Sequence, residues 1–118
     1  MSLKTVLSIE NTLISTTDSK ERLNLHLEAA KIWESESRYQ SSITHYESAI
    51  GYLSKLEDIA SQKKCAEAHL NTGHLYRSLG KNRQAGAHYK QTISLFKSVY
   101  KDTPSDVLAG AYYSVATF

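Results

Sequence analysis

Few side chains in this sequence have chemistry to offer: five histidines, one cysteine (Cys65) and 12 carboxylates among 118 residues. His69 and His74 stand five positions apart, which sets them about 140° apart around a helix. Two ligands of one metal want the same face, at spacings of three or four. His26 and His69 are 43 residues apart, and so are His45 and His88. A shared period ties these four to architecture rather than to a ligand set. Cys65 follows Lys63 and Lys64, whose charges favour a thiolate, and His69 lies one helical turn on. A Cys–His pair is sterically open at that spacing, but a half-buried helix cysteine is the plainer reading. There is no glycine-rich phosphate loop, no His-Glu-x-x-His and no Gly-x-Ser-x-Gly. These patterns predict a protein that is not an enzyme and takes no metal or other cofactor.

The 118 residues fit one domain of the usual ~100–200. Hydrophobic residues at 41% and charged residues at 22% describe a chain able to build a core. A net charge of +2 does not point to nucleic acid or an anionic membrane. A lone cysteine excludes a disulfide framework. No apolar run approaches the ~20 residues of an integral membrane segment, and the opening MSLKTVLSIENT lacks the pattern of a signal peptide. A cytoplasmic protein is expected. One proline and five glycines leave room for long helices and little else.

Apolar spacing places them. Leu3, Val6, Leu7, Leu13 and Ile14 mark one face of a leading helix over 1–16. Asp18 or Thr17 can cap the next helix, which carries Leu23, Leu27, Ala30 and Trp33 and ends near Ser35–Arg38. A third carries Ile43, Tyr46, Ala49, Ile50 and Leu53 and runs to about Glu57, closing a first helix pair over 20–58. The second pair, 59–101, joins a helix bearing Ala66, Leu70, Gly73 and Tyr76 to one bearing Ala85, Tyr89, Ile93, Phe96 and Val99, with Gly80 as the stop between them. Thr103, Pro104 and Asp106 open a sixth helix over 104–118, the first of an incomplete third pair.

The two complete pairs are copies. An offset of 43 aligns Trp33 with Tyr76, Tyr46 with Tyr89, Leu27 with Leu70, Ala30 with Gly73, Ser42 with Ala85 and Ile50 with Ile93. At an offset of 37, Ala109, Gly110 and Tyr113 echo Thr72, Gly73 and Tyr76. Trp33 and the repeated tyrosines are expected in the core, with their polar tips reaching a partner or solvent.

The run Gly73, Tyr76, Gly80, Ala85, Tyr89 and Ile93 resembles the tetratricopeptide repeat (TPR). Ala30, Trp33, Ser37, Ser42, Tyr46 and Ala49–Ile50 stand at the corresponding places of the first copy. The standard unit is about 34 residues, so these units are longer by about 2.5 turns. Long units of this kind are similar to those of the vesicle-fusion attachment proteins (SNAPs) and of cell-polarity scaffolds. The resemblance implies an all-α, right-handed superhelix of antiparallel helix pairs, about six helices in all. It also implies a protein-interaction scaffold or adaptor that binds a peptide or helical segment in its concave groove. A SNAP-like adaptor in membrane traffic and a peptide-sensing regulatory domain are the alternatives.

By that register the groove is lined by Asn24, Leu27, Glu28, Lys31 and Glu34 from the first copy, and by Glu67, Leu70, Asn71, His74 and Arg77 from the second. Val107, Leu108, Ala111 and Ser114 would follow from the third. Some TPR domains grip a chaperone's terminal carboxylate with a lysine/asparagine/arginine clamp. Asn71 fits its asparagine, but Leu27 replaces the first lysine, and Pro104 and Leu108 stand in place of its last basic pair. The apolar closing stretch from Ala111 to Phe118 and the opening helix each lack a covering neighbour. This predicts a segment of a longer array or a domain completed by another chain, and in either case self-association through the terminal helices.

Overall fold

The computed structural model describes residues 3–15 and 17–99. Among them are five helices and no strand: α1 (Leu3–Ser15), α2 (Ser19–Ser35), α3 (Tyr39–Leu53), α4 (Ile59–Ser78) and α5 (Asn82–Val99). The all-α expectation holds. The expected sixth helix, with Pro104, Gly110, Tyr113 and the groove positions Val107, Leu108, Ala111 and Ser114, lies outside the described residues.

The helix boundaries have local causes. Asp18 caps α2 by accepting from the Lys20 backbone N–H at 3.2 Å, and Asp58 caps α4 by accepting from that of Ser61 at 3.0 Å. Such caps are worth about 1 kcal/mol each. Helix α3 ends at Leu53 rather than near Glu57. There the Lys55 and Leu56 amides bond back three residues, to the carbonyls of Tyr52 and Leu53, in tightened turns that leave Asp58 free to start α4. Gly80 ends α4 with φ +75°, the left-handed conformation glycine tolerates. Ser37 holds the equivalent place after α2 with φ 59°, at a steric cost of about 1 kcal/mol.

Each helix packs on the next in chain order. The contacts run antiparallel: Leu23 clusters with Ala49 and Leu53, while Ala30 meets Ser42, and Ala66 meets Phe96 while Gly73 meets Tyr89. Helix α2 is buried on two sides. Ala29 and Ile32 face Ile9 and Leu13 of α1, whereas Leu23 and Ala30 join the layers shared with α3 and α4. Helix α4 does the same with Cys65, Ala68 and Leu75 on one side and Ala66 and Gly73 on the other. Small residues make this possible, because alanine and glycine let two neighbours approach one helix closely. The Tyr89 ring lies so near Gly73 that a Cβ there would sit 2.7 Å from its Cε1.

Candidate functional site

The repeated aromatic residues divide into two kinds. Tyr46 and Tyr89 are fully buried, as expected, but Trp33 and Tyr76 are only partly so. The polar tips of all four find partners. Trp33 Nε1–H donates to Glu10 of α1 at 3.2 Å, and the Tyr76 hydroxyl donates to Glu47 of α3 at 3.3 Å. The Tyr46 hydroxyl donates to Glu34 at 3.2 Å and accepts from Asn71 of α4 at 3.4 Å. The Tyr89 hydroxyl pairs with His74 Nδ1 at 2.8 Å. Tyr46 thus links α2 to α4 at the floor of the groove between them. Burial and the neighbouring Glu34 carboxylate push its phenol well above the usual range, so it stays a neutral donor.

That groove is a hollow of about 350 Å³ lined by Asn24, Leu27, Glu28, Lys31, Tyr46, Lys64, Glu67, Ala68 and Asn71. It continues past Lys31, Asn71 and Tyr46 into about 300 Å³ beside Glu34 and Ser35. Seven of the positions named from the repeat register therefore share one surface: Asn24, Leu27, Glu28, Lys31, Glu34, Glu67 and Asn71. Leu70, His74 and Arg77 line neither hollow, and Leu70 packs instead against Ala66 and Phe96. His74 is bound to Tyr89, and burial first, then Arg77, lowers its pKa while Glu34 opposes the shift. Lys64 was missed by the sequence reading. Its signal was spacing, since it stands one turn before Glu67 and two before Asn71 on the same face.

The larger hollow, about 690 Å³, was also unforeseen. It opens where the starts of α2 and α4 meet the end of α3, with Leu23, Leu53 and Leu56 as its apolar wall and Asp18, Lys20, Asp58 and Lys64 around it. Asn24 and Lys64 line both hollows, so the two form one trough. Leu56, in this wall, and Ile59, just past Asp58, are 43% and 61% exposed.

The other histidines occur as two matched pairs. Nδ1 of His26 lies 2.9 Å from Nδ1 of His45, and Nδ1 of His69 lies 2.9 Å from Nδ1 of His88. This is a hydrogen-bond length, shorter than the roughly 3.3 Å that separates two nitrogens on one tetrahedral zinc. Among the described residues no group of three or more histidine, cysteine or acidic side chains is placed to hold a metal ion. Cys65 is buried, and burial pushes its thiol up rather than down, so the adjacent lysines do not make it a thiolate. Among the described residues no helix is long and apolar enough to cross a membrane.

Comparison with known proteins adds no name to this geometry: no family model, curated protein or solved structure matches the chain.

Proposed function

We propose that this chain is a non-catalytic protein-interaction module of tetratricopeptide type, its helix pairs stacked in a right-handed superhelix, that binds an extended or helical peptide segment in the trough along α2 and α4. The carrying observation is the convergence of Asn24, Glu28, Lys31, Lys64, Glu67 and Asn71 on one concave surface with an apolar floor of Leu27 and Ala68. Alternating charges over an apolar floor suit recognition of a segment with both polar and apolar side chains, and the helices that carry them are fixed by packing on both sides. The cysteine offers no thiolate, and five of the five histidines are engaged with other rings or hydroxyls.

We also propose self-association through α1, on whose free face Leu7 is 54% and Ile14 84% exposed. Sedimentation that stays monomeric from micromolar to millimolar concentration contradicts that proposal.

The test of the groove is selection of a displayed random peptide library on the purified chain, followed by affinity measurement on variants. Lys31→Ala with Asn71→Ala is expected to weaken the selected peptides at least about tenfold, about 1.4 kcal/mol. Arg77→Ala, outside both hollows, is expected to change affinity less than about twofold. Peptides that bind both variants equally, or a library that yields none, overturn the reading.

A further inference from the structure

A further hollow, of about 480 Å³, opens between the start of α2 and the end of α3. It is lined by Arg22, His26, Ser48, Gly51, Tyr52 and Lys55, which supply two cations and two hydroxyls but no carboxylate. The trough differs, since each of its two hollows sets carboxylates beside its lysines.

The groups of this hollow are arranged to receive negative charge. Two hydrogen bonds pin the Arg22 guanidinium, from Nε to the Tyr52 hydroxyl at 2.9 Å and from Nη1 to the Leu13 carbonyl at 2.6 Å, so its charge is fixed at the wall. The Tyr52 hydroxyl accepts there and keeps its own O–H to donate. The Lys55 ammonium has no hydrogen-bond or salt-bridge partner among the described residues. The carbonyls at the end of α3, which would otherwise repel an anion, are already engaged: Ile50 by the Ser54 N–H, Gly51 by the Ser54 hydroxyl, Tyr52 by the Lys55 N–H and Leu53 by the Leu56 N–H. Arg22 itself stands in the first turn of α2, at the positive end of that helix. Burial first, then His45 and Arg22, hold His26 to about 4, so it is a neutral wall rather than a third charge.

Gly51 has no structural reason to be a glycine. Its φ is not positive and a Cβ there would meet nothing within 4 Å, although glycine is costly inside a helix. What its missing side chain does is keep the α3 wall of the hollow open. Forty-three residues on, the second hairpin has Cys65, His69, Gln91, Ser94, Leu95 and Ser98 in the same places, with neither cation and no glycine. The shared framework therefore needs none of the three.

We propose that this hollow binds the dianion of a phosphate group, held by the charges of Arg22 and Lys55 and by the Tyr52 O–H, in the space Gly51 leaves open. Two cations without a counter-charge favour a dianion over a carboxylate. Free phosphate and the phosphomonoester of a modified side chain share this chemistry. The proposal is independent of peptide binding in the trough.

Amide chemical-shift titration of the whole chain at about pH 7.5 and constant ionic strength tests it, with inorganic phosphate, N-acetylphosphoserinamide and acetate as probes. Saturable shifts at Ser48, Gly51 and Lys55 are expected, with a Kd of about 1 mM or tighter for at least one phosphate probe and acetate at least about tenfold weaker. Tighter binding of the phosphoserine probe assigns the site to a modified side chain, and binding of inorganic phosphate at least as tight assigns it to the free ion. The variant Gly51→Ser with Lys55→Ser copies the second hairpin at two exposed positions and is expected to weaken phosphate at least about fivefold. No saturation by about 10 mM of either phosphate probe, acetate binding as tightly as phosphate, or full affinity in the variant overturns the proposal.

Discussion

The α2–α3 and α4–α5 hairpins share a frame in which each residue has a counterpart 43 positions away, yet they are fastened differently. The first is tied to its neighbours by polar contacts. Arg22 donates to the Leu13 carbonyl of α1 at 2.6 Å and to the Tyr52 hydroxyl at 2.9 Å, while Glu10 receives both Trp33 and His45. At the positions of Arg22 and Tyr52 the second hairpin has Cys65 and Leu95, and Phe96 is fully buried where the first has Leu53. The buried tyrosines diverge in the same sense. Tyr46 reaches across to Asn71 in the groove, whereas Tyr89 is closed off by His74. One backbone plan thus carries two sets of fastenings, and the proposed binding surface lies where the first hairpin meets α4.

The largest test of this contrast is truncation in the core. Phe96→Ala should cost about 3–5 kcal/mol and open α5 ahead of the rest. Leu53→Ala should cost about 2–5 kcal/mol and loosen both hairpins together, because Leu53 packs in the layer shared by Leu23 and Cys65. Urea unfolding read by hydrogen exchange separates local from global loss. Gly73→Ala comes next. Its new Cβ would sit 2.7 Å from a buried tyrosine ring, so a cost of about 1–3 kcal/mol is expected despite alanine's better helix propensity. Ala30, its counterpart, already accommodates a Cβ. Smaller still, Ser37→Gly should stabilise by about 0.5–1 kcal/mol, since Ser37 sits at φ 59° where Gly80 sits at φ +75°. Thermal unfolding suffices to measure both. Smallest of all, Lys31→Ala should move stability by no more than about 0.5 kcal/mol, the mark of an exposed groove residue rather than a structural one.

The helices and their repeat were legible because packing repeats in sequence: Tyr46 with Tyr89, Ser37 with Gly80 and Gly73 as a close crossing all follow from the 43-residue frame. The second buried face of α2 was not legible. Ala29 and Ile32 break the single stripe that Leu23, Leu27, Ala30 and Trp33 suggest, because a helix covered on two sides has no one apolar face. The groove positions from Asn24 to Asn71 were readable from register, whereas the trough beside Leu56 depends on how three helix ends meet, which periodicity does not encode. The histidines were recognisable as a repeat but not as pairs, since the contact joins neighbouring helices at a separation of 19 residues.

Chemical-shift mapping of backbone amides with a library-selected peptide tests the proposed groove most directly. Perturbations are expected along one face of α2 and α4, strongest at Asn24, Glu28, Lys31, Glu67 and Asn71, with little change on α5. Perturbations centred on α5, or on the α1 side of α2 around Ala29, would contradict it.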